Sequence, residues 1–117
     1  MEKKSIGKVT VGFGSKDQRE IEVVNFVRSS FKDHRLITIS ELEDGSIISV
    51  VENPESSGRA SQAKIWLSKQ SFLGLIATSY LYFMKKGEDF EGLLKDVLVK
   101  DELEYEFASI DEQEKNK

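Results

Sequence analysis

The Asp44-Gly45 dipeptide constrains the fold most, because it interrupts a long alternation of apolar and polar residues. From Arg35 the sequence alternates with period two up to this dipeptide, and residues 46–52 resume the alternation. A dipeptide of this kind is a strong hairpin signal, since the turn requires positive φ angles that glycine adopts freely. The pattern therefore predicts two antiparallel strands joined by a tight turn.

A third alternating run, residues 61–67, follows a polar loop and leads to Ser68, a residue type that caps helices well. One side of this strand is apolar, with Ala63, Ile65 and Leu67. We expect Lys64 and Trp66, on the other side, to lie on the outer face of the sheet. A tryptophan beside a lysine there would stack bases and hold phosphates. Alternatively, Trp66 is a half-buried edge residue that packs on a neighbouring strand or subunit.

Two more strands are expected upstream, at residues 5–13 and 20–28, with a bulge or bend at Ser29-Ser30. Short polar connections between the strands favour an antiparallel meander. A weak alternation at residues 103–107 is compatible with an edge strand. The sequence thus predicts an α+β fold: a curved antiparallel sheet of four to five strands followed by a long amphipathic C-terminal helix and a short second helix.

The long helix is expected at residues 68–86, where Lys85-Lys86-Gly87 supplies a stop, and the short one at residues 88–98. The long helix is apolar on two faces and therefore needs two partners. We expect one face to cover its own sheet and the other to contact a second helix or a second subunit. The predicted dimer interface is the stripe Leu73, Ala77, Leu81 and Met84.

The net charge of −4 is distributed unevenly along the chain. Residues 101–117 hold seven carboxylates and two lysines, which leaves the first hundred residues with a net charge of +1. We therefore expect one nucleic-acid-binding domain at residues 1–108 and an acidic disordered tail at residues 109–117. The tail is either a solvated segment or a functional one, which recruits partners such as replication or recombination proteins or competes with nucleic acid for the basic surface.

Several kinds of chemistry are disfavoured by the residues present. The chain has no cysteine, and His34 is its single histidine, so zinc sites built on sulfur or on two histidines are excluded. Gly12-Phe-Gly14 departs from a dinucleotide-binding fingerprint, because Asp17 takes the place of the third glycine. We expect no enzyme activity, no metal and no cofactor. With no signal sequence and no apolar run long enough to span a bilayer, a cytoplasmic protein is expected.

The order of these elements also resembles a known family. A strand with Thr-Ile-Ser-Glu after Arg35, a turn at Gly45, a second strand, a loop with Ser57-Gly58-Arg59 and a strand running into a helix span residues 32–84. This layout resembles the positive cofactor four (p15) transcriptional coactivators and is similar to that of Whirly proteins and small phage single-stranded DNA-binding proteins. The chain departs from the pattern in its extra N-terminal strands, its second helix and its negative charge.

The resemblance implies a homodimer with helices packed together and curved sheets that form grooves for single-stranded DNA. The nucleic-acid-binding residues at matching positions would be Lys32, Arg35, Thr38, Arg59, Lys64 and Trp66. We therefore expect a sequence-tolerant single-stranded DNA-binding protein that assists replication, recombination or transcription. The alternatives are an RNA-binding protein or a non-catalytic dimeric protein-interaction module. Basic residues around Trp66 would favour single-stranded DNA binding, and an apolar patch there would favour the interaction module.

Overall fold

The computed structural model describes residues 6–12, 18–54 and 60–110, and it has an α+β fold with a curved antiparallel sheet and two helices. The strands are β1 (Lys8–Val11), β2 (Arg19–Ser30), β3 (Leu36–Leu42), β4 (Ile47–Pro54), β5 (Ala60–Leu67) and β6 (Glu104–Ser109). The helices are α1 (Lys69–Lys85) and α2 (Phe90–Lys100). The predicted α+β class is confirmed, although the described sheet has six strands rather than the expected four to five. The long helix is not C-terminal, because α2 and β6 follow it.

Consecutive strands β1 to β5 pair antiparallel in sequence order, and β6 pairs with the second half of β2. The predicted hairpin joins β3 and β4: Gly45 has a φ of 88°, and its N–H donates to the Leu42 carbonyl at 2.9 Å. The Asp44 carboxylate supports the turn by accepting from the backbone N–H of Ser46 at 2.9 Å. Local sequence alone is enough to specify this turn.

A bulge in β2 decides which residues face the core. Val23 pairs with Leu42 and Asn25 pairs with Glu41, so Val24 is the extra residue. The expected bend at Ser29-Ser30 is wrong, because β2 continues through Ser30 with regular pairing. The bulge shifts the alternation by one residue, and Phe26 and Arg28 therefore share a face with Val23.

The core lies on one face of the sheet, which we call the inner face. Its buried cluster comprises Val11, Ile21, Val23, Leu42 and Ile48. Trp66 packs against this cluster and is half-buried. The expectation that Trp66 lies on the outer face is therefore wrong. The sheet curves so that β1 lies over the inner face, which brings Val11 close to Ile48 and Trp66.

The long helix α1 begins and ends close to where the sequence predicts, whereas α2 begins and ends two residues later than the expected 88–98. The Ser68 hydroxyl accepts from the Ser71 N–H at 3.1 Å, and Gly87, with a φ of 76°, follows the C-cap Lys86. Neither α1 nor α2, both fully described, contains a buried residue. The expectation that one face of α1 covers its own sheet is therefore not met. Within the described ranges, no helix is long and apolar enough to cross a membrane.

The helices lead back to the sheet through β6. The backbone N–H of Lys32 donates to the Asp101 carbonyl at 2.9 Å, just before β6 begins. Ser109 and Ile110 are both buried. The predicted domain boundary after residue 108 therefore falls inside β6, and residues 111–117 of the predicted tail lie outside the described part of the chain.

Candidate nucleic-acid interface

Strand pairing arranges the inner face into rows of side chains that run across the sheet. One row, which we call the aromatic row, contains Trp66, Ile48, Ser40, Phe26 and Ala108. The adjacent row, the cationic row, contains Lys64, Val50, Thr38, Arg28 and Glu106. Side chains two residues apart on a strand are separated by about 7 Å, so the two rows are close neighbours.

Trp66 has its ring orientation fixed by a chain of hydrogen bonds. Its indole Nε1–H donates to the Ser46 Oγ at 2.8 Å, and that hydroxyl donates to Asp44 Oδ1 at 2.5 Å. The Arg19 guanidinium carbon lies 6.0 Å from the centre of the indole ring. Hydrogen bonds from the Ser46 hydroxyl and N–H lower the pKa of Asp44, and the charge of Arg19 adds a smaller effect. The indole is thus positioned before any ligand arrives.

The cationic row contains two cations, one on β5 and one on β2. Lys64 is exposed on β5, and Arg28 is exposed on β2 with Thr38 between them. Arg28 donates to Glu106 at 3.3 Å and to the Thr38 hydroxyl at 3.4 Å, and its guanidinium carbon lies 5.4 Å from the Phe26 ring centre. Because this ion pair is exposed to solvent, it contributes at most about 1 kcal/mol. Arg28 can therefore exchange Glu106 for a phosphate at low cost.

The turn between β2 and β3 holds two other predicted residues in different ways. Arg35 pairs with Asp33 at 2.8 Å and with Asp101 at 3.3 Å, and its guanidinium carbon lies 4.6 Å from the Phe31 ring centre. The hydrogen bond that the Arg35 guanidinium donates to the Asp33 carboxylate raises the pKa of Arg35 and lowers the pKa of Asp33. Lys32 is exposed beside them. A phosphate at Arg35 must compete with two carboxylates.

The structure thus brings together three of the six predicted binding residues, Thr38, Lys64 and Trp66, on one face. Lys32 and Arg35 lie at the end of the sheet, and Arg59 lies outside the described residues. Sequence reasoning missed Phe26 and Arg19. Phe26 reaches the inner face only because of the Val24 bulge, which has no clear sequence signal, and Arg19 reaches Trp66 only through the tertiary fold.

Acidic residues limit the basic surface on one side. The row beyond the cationic row contains Gln62, Glu52, Leu36, Ser30 and Glu104. Glu104 and Glu106 offset the charge of Arg28 at the β6 side of the inner face, and Glu52 lies on β4 next to the strand of Lys64. The basic surface is therefore confined to the cationic row and the residues beside Trp66.

Comparisons with known proteins identify no relative of this chain. No protein-family model, curated protein or solved structure shows a significant match to this chain. The roles of individual residues therefore rest on their own chemistry and geometry.

Proposed function

We propose that this protein binds single-stranded DNA with little sequence preference and assists replication, recombination or transcription without catalytic activity. The observation that carries the proposal is the pair of adjacent rows on the inner face. Aromatic rings stack on bases of any sequence, and nearby cations hold the phosphates. We propose a cytoplasmic location, on the nucleoid or in the host cytoplasm if the protein is viral.

The dimensions of the rows support a shared role in binding one strand. Trp66 and Lys64 are two residues apart on β5, and Phe26 and Arg28 are two apart on β2. Each aromatic residue thus has a cationic residue two positions away on the same face, with a Cα spacing of about 7 Å. A base that stacks on the ring would place its own phosphate within reach of that cation. Such a site contacts the phosphates and the flat faces of the bases but not the base edges that distinguish one sequence from another. This explains the proposed sequence tolerance.

A homodimer is part of the proposal, because the helices leave apolar surface uncovered. Leu73, Leu81 and Met84 of the predicted interface are each about half exposed. The radius of gyration is 16.5 Å, larger than the roughly 13 Å of a compact chain of 100 residues. An exposed apolar surface of this kind marks an interaction site in a stable protein. A second copy would cover the helices.

The outer face of the sheet supplies a matching apolar surface. Ile65 and Phe107 are 47% and 53% exposed there, next to the half-buried Ile39 and Val27. In a twofold dimer the same two surfaces meet twice, so helices from one copy and sheet from the other can cover both. The same surface also supports the alternative of a protein-interaction module, with a different protein in place of the second copy.

Binding to a fluorescently labelled oligothymidine, measured by anisotropy at several salt concentrations, tests the proposed function. We expect Trp66→Ala to weaken binding by about 1–3 kcal/mol, the usual contribution of one stacked base, and to leave the salt dependence unchanged. Lys64→Ala and Arg28→Ala should each reduce the slope of log affinity against log salt by about 0.7. Arg35→Ala should reduce it less, because Asp33 and Asp101 already neutralise that side chain.

Lys95→Ala is the matched control, since Lys95 is an exposed cation on α2 that pairs with Glu91 and lies away from the sheet. It should change neither affinity nor slope. Circular dichroism of each variant establishes that the sheet is intact. Binding weaker than millimolar at low salt by the wild-type protein would reject the proposal in favour of the interaction module. Tighter binding to an oligouridine of equal length would instead identify RNA as the ligand.

A further inference from the structure

A cleft opens where the two ends of the curved sheet approach each other. Its volume is about 270 Å³, and its lining consists of Thr10, Val11, Gly12, Ile48, Lys64 and Trp66. Among the described strands, β1 pairs with β2 alone and β5 pairs with β4 alone. The cleft therefore lies between two edge strands, and part of it comes from β1, which is absent from the family pattern that the sequence resembles.

The lining combines apolar surface with a small number of polar groups. Val11 and Ile48 are buried and form the floor, while the Trp66 indole and the exposed Lys64 stand on the β5 side. On the β1 side, the exposed Thr10 and the adjacent Gly12, which has no side chain to block the opening, form the rim. Small-molecule sites also combine apolar surface with a few polar groups that orient the ligand.

We propose that this cleft holds one unstacked base of the bound strand, with the Lys64 ammonium on the phosphate next to that base. The proposal rests on the proposed function and assigns one of its base sites. The volume is just below the range of pockets for drug-sized ligands, so it suits a single planar ring system. Only two residues of β1, the Gly12 that follows it and two residues of β5 border the cleft at its edges, and this length is too short for an added strand.

The hydrogen-bonded indole favours this occupant further. Because Ser46 holds Nε1 and Asp44 holds Ser46, the ring does not have to be ordered when the base enters. Binding to a preorganised site loses less conformational entropy and gains affinity accordingly. The phosphate of the same nucleotide lies towards solvent, where Lys64 is exposed.

The test uses Ile48→Phe, which enlarges the side chain that forms the floor of the cleft, with Ile48→Val as the matched control. Circular dichroism of both variants checks that the sheet is intact. Trp66 is the single tryptophan of the chain, so its fluorescence reports this site alone. In the wild-type protein and in Ile48→Val, thymidine monophosphate should quench Trp66 in a saturable manner. In a folded Ile48→Phe the quenching should disappear, and oligothymidine should bind roughly 5- to 150-fold more weakly with the same salt dependence.

An oligomer of abasic deoxyribose phosphates distinguishes the contribution of the base to binding from that of the backbone. It should bind the wild-type protein with the salt dependence of oligothymidine and should not quench Trp66. Unchanged quenching and affinity in Ile48→Phe would overturn the cleft assignment while the proposed function stands. Failure of the wild-type protein to bind oligothymidine would overturn both together.

Discussion

The strands and the helices of this chain bury their apolar side chains to very different extents. Every buried apolar residue in the described ranges lies in a strand or directly beside one, and Leu42 is only 1% exposed. The two helices also carry large apolar residues, yet none of these side chains is buried, and Leu81 is 50% exposed. The sheet therefore forms its core within one chain, whereas the described part of the protomer leaves the apolar side chains of the helices uncovered.

This difference separates two kinds of stability. Packing inside the sheet is intramolecular and does not depend on protein concentration. Packing of the helices in the proposed dimer is intermolecular, so mass action makes it stronger as the concentration rises. Variants in the two regions should therefore respond differently to dilution, and the following predictions use that response.

The largest effect is expected at the centre of the sheet. Leu42→Ala should lower the free energy of unfolding by about 2–5 kcal/mol, because it leaves a cavity in the buried cluster. Urea unfolding followed by circular dichroism measures this loss, which should be the same at low and high protein concentration. The matched variant Leu81→Ala should lose stability only at concentrations where dimers form. An equal loss for Leu81→Ala at every concentration would show that α1 packs within its own chain.

A charge in the proposed dimer interface should separate the protomers. Ala77→Glu should raise the dimer dissociation constant at least about a hundredfold, because a buried unpaired carboxylate costs several kcal/mol. Native mass spectrometry and sedimentation measure the change. Thr78→Glu, which adds the same charge to the neighbouring face of α1, is the control and should remain dimeric. A wild-type monomer at micromolar concentration would contradict the proposed dimer.

A smaller effect is expected from the acid titration of the β3–β4 turn. Hydrogen bonds from Ser46 lower the pKa of Asp44 below its usual value of 3.8. The ionised carboxylate therefore stabilises the fold above that pH, and this stabilisation is lost as the pH falls through the lowered pKa. The contribution should be below about 1 kcal/mol, because Asp44 is solvent-exposed. Urea unfolding of Asp44→Asn and of the wild-type protein across this pH range measures this contribution. If the free energies of unfolding of the two proteins change in parallel with pH, the contribution of Asp44 is excluded.

The smallest effect is expected from removing residues 111–117, which carry a net charge of −1. The truncation begins after Ile110 because that residue is buried. It should leave the melting temperature unchanged and raise the affinity for oligothymidine by at most about twofold, since few charges are removed. A truncation from residue 109 is the informative comparison and should destabilise the fold. Weaker binding by the shorter truncation would show that the tail assists binding.

The features that could be predicted from sequence are those that neighbouring residues determine. Asp44-Gly45 forms its turn, Ser68 caps α1 and Gly87 ends it, because each depends on backbone geometry within a few residues. The strand pairing of the central region follows from the same turns. These elements fix the row to which Lys64 and Trp66 belong, although not the face on which it lies.

The remaining features depend on contacts between distant segments. Burial of Trp66 is decided by β1, which lies over the inner face, and alternation alone does not reveal which face is covered. The bulge at Val24 changes the face of Phe26 without any glycine or proline to mark it. Exposure of both helices is a property of the whole protomer, and an amphipathic pattern predicts the apolar faces without identifying their partners.

The pairing of β2 also determines the order in which this chain folds. β2 and β3 are joined by a short turn, whereas Arg28 and Glu106 are 78 residues apart in the sequence. Contacts between near neighbours form quickly, and distant pairs form slowly because closing a long loop costs chain entropy. We therefore expect a fast phase that forms the hairpins and a slow phase that adds β6. During the interval, the second half of β2 presents an open edge to other chains.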